Sequence, residues 1–84
     1  IELKHSKEEK VEKESEQLAM ELMHNNKDVQ ILGPAQPPVA KIKKIFTRTI
    51  YLKSNNFNLI KNAYASIHKT TYKSKLFFTP NPLT

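Results

Sequence analysis

The chain has 84 residues, room for one thin core, since a domain of this size hides only roughly 60% of the surface its unfolded form exposes; a deep catalytic cleft is not expected. It has no cysteine and a single glycine, which excludes disulfide frameworks, thiolate metal sites and phosphate-cradling loops of the Walker or dinucleotide kind. The net charge of +6 is unevenly spread: all eight acids lie within residues 2–28, where five lysines leave −3, while residues 29–84 hold eight lysines, one arginine and no acid, +9.

Such an acid-free basic stretch sets up a positive field that suits phosphate backbones. The plainer reading is a Lys- and Asn-rich surface tuned for solubility. No signal peptide is visible, and no apolar run approaches the roughly 18 residues of a membrane span. Because the first residue is Ile1 and not Met, the chain is read as a piece of a longer protein.

Residues 1–5 (I-E-L-K-H) alternate apolar and polar, the pattern of a strand. Ser6 then reads as a helix N-cap with Glu9 as its capping-box partner, and Glu8 and Glu9 suit the positive end of the helix dipole. The helix is expected over residues 7–25. Val11, Leu18, Ala19 and Leu22 form its apolar stripe, Met23 lies at the edge, and a Lys/Glu face meets water. Asn25 and Asn26 end it. Residues 28–32 (D-V-Q-I-L) make a short second strand. In residues 33–38 (G-P-A-Q-P-P) three prolines remove three N–H donors, which predicts a stiff connector inside the domain.

Residues 39–54 form the middle segment, in which Ile42 and Ile45 frame Lys41, Lys43 and Lys44. The run F-T-R-T-I-Y-L-K is the main strand, with Ile50 and Leu52 on one face and Thr49, Tyr51 and Lys53 on the other. Ser54 or Asn55 caps a second helix that runs to His68, with Ile60, Ala63, Tyr64 and Ile67 as its core stripe. Residues 69–73 are a polar turn, residues 74–78 (S-K-L-F-F) the last strand, and Pro80 and Pro82 stop it. The order β-α-β-β-α-β predicts a single α+β domain over residues 1–84, a ferredoxin-like or ribosomal-protein-like sandwich. Two helices cover one face of a mostly antiparallel sheet and the other face stays open.

Signals for chemistry are weak. His5, His24 and His68 lack metal-ligand spacing, and the carboxylates sit on the first helix as a solvated face. Neither a metal site nor a catalytic site is expected. Lys41, Lys43, Lys44, Arg48 and Lys53, interleaved with apolar and aromatic residues, are the candidate nucleic-acid-binding set. The alternative is an edge strand that lysine protects from aggregation. Tyr51, Tyr72, Phe77 and Phe78 are the other group to follow. The two adjacent phenylalanines must point to opposite sheet faces, one to the core and one to a base or a neighbouring domain. Phe57 and Lys61, one turn apart at the start of the second helix, are the candidate partner-binding pair, an apolar shelf beside a cation for an acidic peptide end. The bland reading is a half-buried Phe next to a solvated Lys.

The run 29–41, V-Q-I-L-G-P-A-Q-P-P-V-A-K, is similar to the V-x-V-L-G-P-A-x-A-P-I-A-R signature near the end of PriA helicases (primosomal protein N′). The upstream L-K-H-S-K-E-E-K-V-E-K and the downstream strand, Ser/Asn-capped helix and short strand ending in Pro-Leu resemble that family in order and spacing, over essentially the whole chain. The family's C-terminal domain resembles a small-subunit ribosomal protein fold, in line with the element order. The resemblance implies a non-catalytic C-terminal accessory domain of a bacterial ATP-dependent 3′→5′ DNA helicase, one that recognises stalled forks and D-loops and restarts replication with the primosome. Its implied partners are DNA (forks and single strands), the rest of the helicase and the tail of single-strand-binding protein, with no membrane. The implied location is the bacterial cytoplasm and nucleoid. ATP, magnesium and zinc are implied only for upstream parts of the parent protein. Two departures stand out. Phe46-Thr47-Arg48-Thr49 replaces an aromatic-Arg-aromatic-Gln run, so Arg48 is one residue off the family arginine and, in a strand, on the other face. Thr79-Pro80-Asn81-Pro82 replaces D-V-D-P. The alternative readings are a free-standing RNA-binding or ribosome-associated α+β domain and a purely protein-interaction module.

Overall fold

The computed structural model describes residues 1–39 and 41–79, so the stops expected at Pro80 and Pro82 lie outside the described residues. In chain order the elements are β1 (Glu2–His5), α1 (Glu8–Asn25), β2 (Gln30–Ala35), β3 (Lys41–Ile42), β4 (Ile45–Lys53), α2 (Phe57–Ala65), a 3-10 turn at Lys69–Thr71, and β5 (Lys75–Phe77). The sheet runs β2-β4-β1-β5 with every pair antiparallel, and β3 adds to β4. Phe46 lies opposite both His5 and Lys41, so β3 sits on the side of β4 away from β1. Apart from β3, this is the ferredoxin-like sandwich that the element order predicts.

Register assigns every side chain to a face, because residues paired across strands share one. Leu3 pairs with Arg48 and with Leu76, and Ile31 with Leu52; these face the helices. Glu2 pairs with Thr49 and Phe77, Lys4 with Thr47 and Lys75, and Leu32 with Tyr51; these face away. The core lies between sheet and helices: Leu3, Val11, Leu18, Leu22, Ile50 and Ala63 are fully buried in one cluster that Ile31, Ile67 and Tyr72 extend. Tyr64 of α2 and Phe78 after β5 stack with ring centroids 4.7 Å apart and complete it at the β5 side.

α1 forms where the apolar spacing predicts it, and Val11, Leu18, Ala19 and Leu22 are all buried. The same face carries two polar residues. Ser15 Oγ donates back to the Glu12 carbonyl at 2.9 Å, and Glu14 Oε1 accepts the Ser74 N–H at 2.8 Å, tying the entry of β5 to the helix. Glu21 makes a second tie: Tyr72 O–H donates to its Oε1 at 2.6 Å. Burial first, and then this hydrogen bond to Glu21, hold the Tyr72 phenol well above its ordinary pKa.

Four local expectations are corrected. The α1 cap is Lys7, not Ser6, and it makes no side-chain cap bond. β1 runs through His5, so Ser6 is taken up by the turn, and His5 Nδ1 accepts the Lys7 N–H at 3.0 Å instead. The expected stiff connector is partly strand, because β2 continues to Ala35 with a shift in register between Leu32 and Ala35. Gly33 permits this with φ +104; a Cβ there would stand 2.8 Å from the Thr49 carbonyl oxygen. The cap of α2 is Asn56, whose Oδ1 accepts the Asn58 N–H at 2.9 Å, while Ser54 and Asn55 form the preceding turn. α2 also stops at Ala65 and not near His68, since Ser66 Oγ bonds back to the Ala63 carbonyl at 2.8 Å and competes with the next helical turn.

Candidate nucleic-acid interface

Among the described residues no helix packs on the sheet face away from α1 and α2, and its composition follows from strand alternation; at its centre Thr47 and Thr49 are buried, each 8% exposed. β4 presents Ile45, Thr47, Thr49, Tyr51 and Lys53 there; β1 presents Glu2 and Lys4; β5 presents Lys75 and Phe77. Tyr51 is 55% exposed and Phe77 44%. Lys4 Nζ stands 5.6 Å from the centre of the Phe77 ring, within cation–π range. Among the described strand residues this face carries one acid, Glu2, in the row between Thr49 and Phe77.

A shallow concavity of about 440 Å³ lies at one end of the face, lined by Lys4, Lys73, Lys75, Phe77 and Ile45, with His5 and Ser6 at its rim. A second, of about 500 Å³, lies near the other end between the α1–β2 and β4–α2 turns. Its lining of Lys27, Asp28, Gln30, Lys53 and Asn55 mixes both charges and offers no aromatic surface. The first is smaller but chemically sharper: its charged side chains are all basic and one wall is a ring. Among the described residues no group of three or more His, Asp or Glu is placed to hold a metal ion, and no helix is long and apolar enough to cross a membrane.

The residues expected to bind nucleic acid are separated by the fold. Lys53 lies on the open face beside Gln30 of β2. Lys43 and Lys44 form the tip of a two-residue hairpin between β3 and β4, both exposed and both at positive φ, 49° and 67°. Lys41 shares the face of Phe46, with its Nζ 5.1 Å from that ring's centre. Arg48 is turned the other way. Its side chain is 9% exposed beneath α1, where Nη2 donates to Glu8 Oε2 at 3.0 Å and Nη1 to the Thr47 carbonyl at 3.0 Å. It is therefore not part of any exposed basic track. Phe57 and Lys61 are both exposed on the first turns of α2, which places them together as expected and away from the open face.

Lys4, Lys73 and Lys75 did not belong to the expected set. Their alternation is visible in I-E-L-K-H and S-K-L-F-F, which puts Lys75 and Phe77 on one face and Glu2 and Lys4 on another. The adjacency of β1 and β5, which merges the two, is a long-range pairing with no local signal. Comparison of the chain with protein-family models, with curated proteins and with solved structures gives no match.

Proposed function

We propose that this chain is a non-catalytic module that binds single-stranded nucleic acid across the open face of its sheet, with bases against Tyr51 and Phe77 and phosphates along Lys4, Lys53 and Lys75. The observation that carries this reading is the joint presence, on one helix-free face, of two exposed rings and flanking lysines, with Glu2 the one acid among its described strand residues. Aromatic faces on an open sheet stack unpaired bases of any sequence, while lysines follow the backbone. Bases in a duplex are already stacked on one another, so the arrangement favours unpaired strands.

The likeness of residues 29–41 to the PriA signature supports placing this module at the end of an ATP-dependent 3′→5′ DNA helicase that restarts stalled forks. In that setting the strand is fork DNA, and the rest of the helicase is the second partner. Phe57 and Lys61, both exposed, are then the docking pair for the acidic tail of single-strand-binding protein.

Fluorescence anisotropy with a labelled oligonucleotide tests the reading. Tyr51→Ala and Phe77→Ala are each expected to weaken binding by about 1–3 kcal/mol, the worth of one stacked base. The logarithmic salt dependence is expected to fall by about 0.7 for each lysine of the face replaced by Gln. Unchanged affinity in both aromatic variants would remove the face from consideration.

A further inference from the structure

The concavity at the end of the open face holds more positive charge than an ordinary backbone contact uses. Lys4 and Lys75 lie directly opposite each other on β1 and β5, and Lys73 lines the same hollow. Like charges in direct cross-strand register destabilise a sheet. Among the described residues none of these three lysines forms an ion pair, and the lining contains no acid. An internal phosphodiester would bring one negative charge to this cluster. A terminal phosphomonoester brings about −1.5 to −2 at neutral pH with three acceptor oxygens, the closer match to three ammonium groups. Phe77 forms the adjoining wall, and Lys4 Nζ now rests 5.6 Å from its centroid. A phosphate that drew Lys4 off the ring would free that ring face for a base.

We propose that this hollow seats the phosphorylated end of a nucleic-acid strand, its terminal phosphate among Lys4, Lys73 and Lys75 and its first base against Phe77. The inference rests on the single-strand reading of the open face and adds a strand-end preference to it. Phosphate alone satisfies the charge, but the ring beside it selects a phosphate that carries a flat base.

The test uses one oligonucleotide sequence in three forms, with a 5′-phosphate, with a 3′-phosphate, and with hydroxyls at both ends, each with the dye at an internal position. One phosphorylated form is expected to bind about tenfold tighter than the hydroxyl form, the gain of a charge-assisted contact, and which form it is gives the strand's direction across the sheet. The double variant K4Q/K75Q is expected to abolish this advantage without lowering Tm, because it relieves a like-charge pair. Lys73→Gln, outside any strand, repeats the test without touching the sheet. Lys53→Gln is expected to weaken all three forms alike. Equal binding of the three forms, with dependence on Tyr51 retained, would overturn the strand-end inference and leave the open-face reading standing. An advantage that survives both Lys4/Lys75 and Lys73 replacement would also overturn it. Absence of binding by every form would instead count against the open-face reading itself.

Discussion

Arg48 and Lys75 show how one charge takes two roles in the same sheet. Lys75 projects from the open face, opposite Lys4. Arg48 projects under α1, where the first-turn carboxylate of Glu8 and a backbone carbonyl satisfy its guanidinium. A buried guanidinium without its acceptors is costly, so the pair fixes the start of α1 over β4 more than it adds net stability. Arg48→Ala is expected to destabilise the fold by about 1–3 kcal/mol in urea unfolding and to leave nucleic-acid affinity unchanged. A stable variant with weakened binding would place Arg48 in the interface. Its inward direction follows from strand parity alone: Arg48, Ile50 and Leu52 alternate with Thr49, Tyr51 and Lys53. The partner Glu8 could not be read from the sequence, since it lies 40 residues away.

Among the elements, the β3–β4 hairpin is the least expected. Its two central residues are lysines at φ 49° and 67°, a conformation that Asn-Gly adopts far more easily. For that reason Ile42-Lys43-Lys44-Ile45 carries no turn signal, and the segment looks like one long approach to β4. Ile42 pairs with Ile45 on the open side, and Ile45 also lines the cationic hollow, so the hairpin adjoins it. Replacing Lys43-Lys44 by Asn-Gly is expected to stabilise the domain by about 1–2 kcal/mol while weakening oligonucleotide binding. Unaltered binding would assign the two lysines to edge protection. α1 was legible because Val11, Leu18, Ala19 and Leu22 recur at helical spacing over its 18 residues, although Glu14 and Ser15 on the same face are also buried. Its cap was displaced by a residue because a side-chain contact from His5 replaced the expected serine. β2 outran its expected end because Gly33 tolerates a close approach to Thr49 that no other residue would.

For the whole molecule, the layer arrangement was legible because two amphipathic helices and alternating strands leave few ways to bury their apolar faces together. Leu18, Leu22 and Ile67 are buried as their spacing requires, while Ile60 and Tyr64 remain half-buried at the margin of a short α2. The open face was legible strand by strand but not as a surface. Tyr51 comes from β4, Lys4 from β1 and Phe77 from β5, and only the β4-β1-β5 order brings them onto one face, in three successive cross-strand rows. The charge asymmetry completes the picture. Seven of the eight acids lie on α1 or in the turn after it; Glu2 is the acid of the described strands on the open side, and Asp28 lines the concavity it shares with Lys53. The molecule thus has an acidic helical side and a basic sheet side, a polarity that orients an approaching polyanion before contact.

That separation makes the central claim measurable in a single experiment. Backbone amide shifts of the chain are followed by NMR as a short unlabelled single strand is added at low salt. The largest changes are expected at Lys4, Thr49, Tyr51, Lys75 and Phe77, with the outer face of α1 from Glu9 to Glu16 unmoved. Changes concentrated on α1 or α2, with those five amides silent, would contradict the open face as the site of binding.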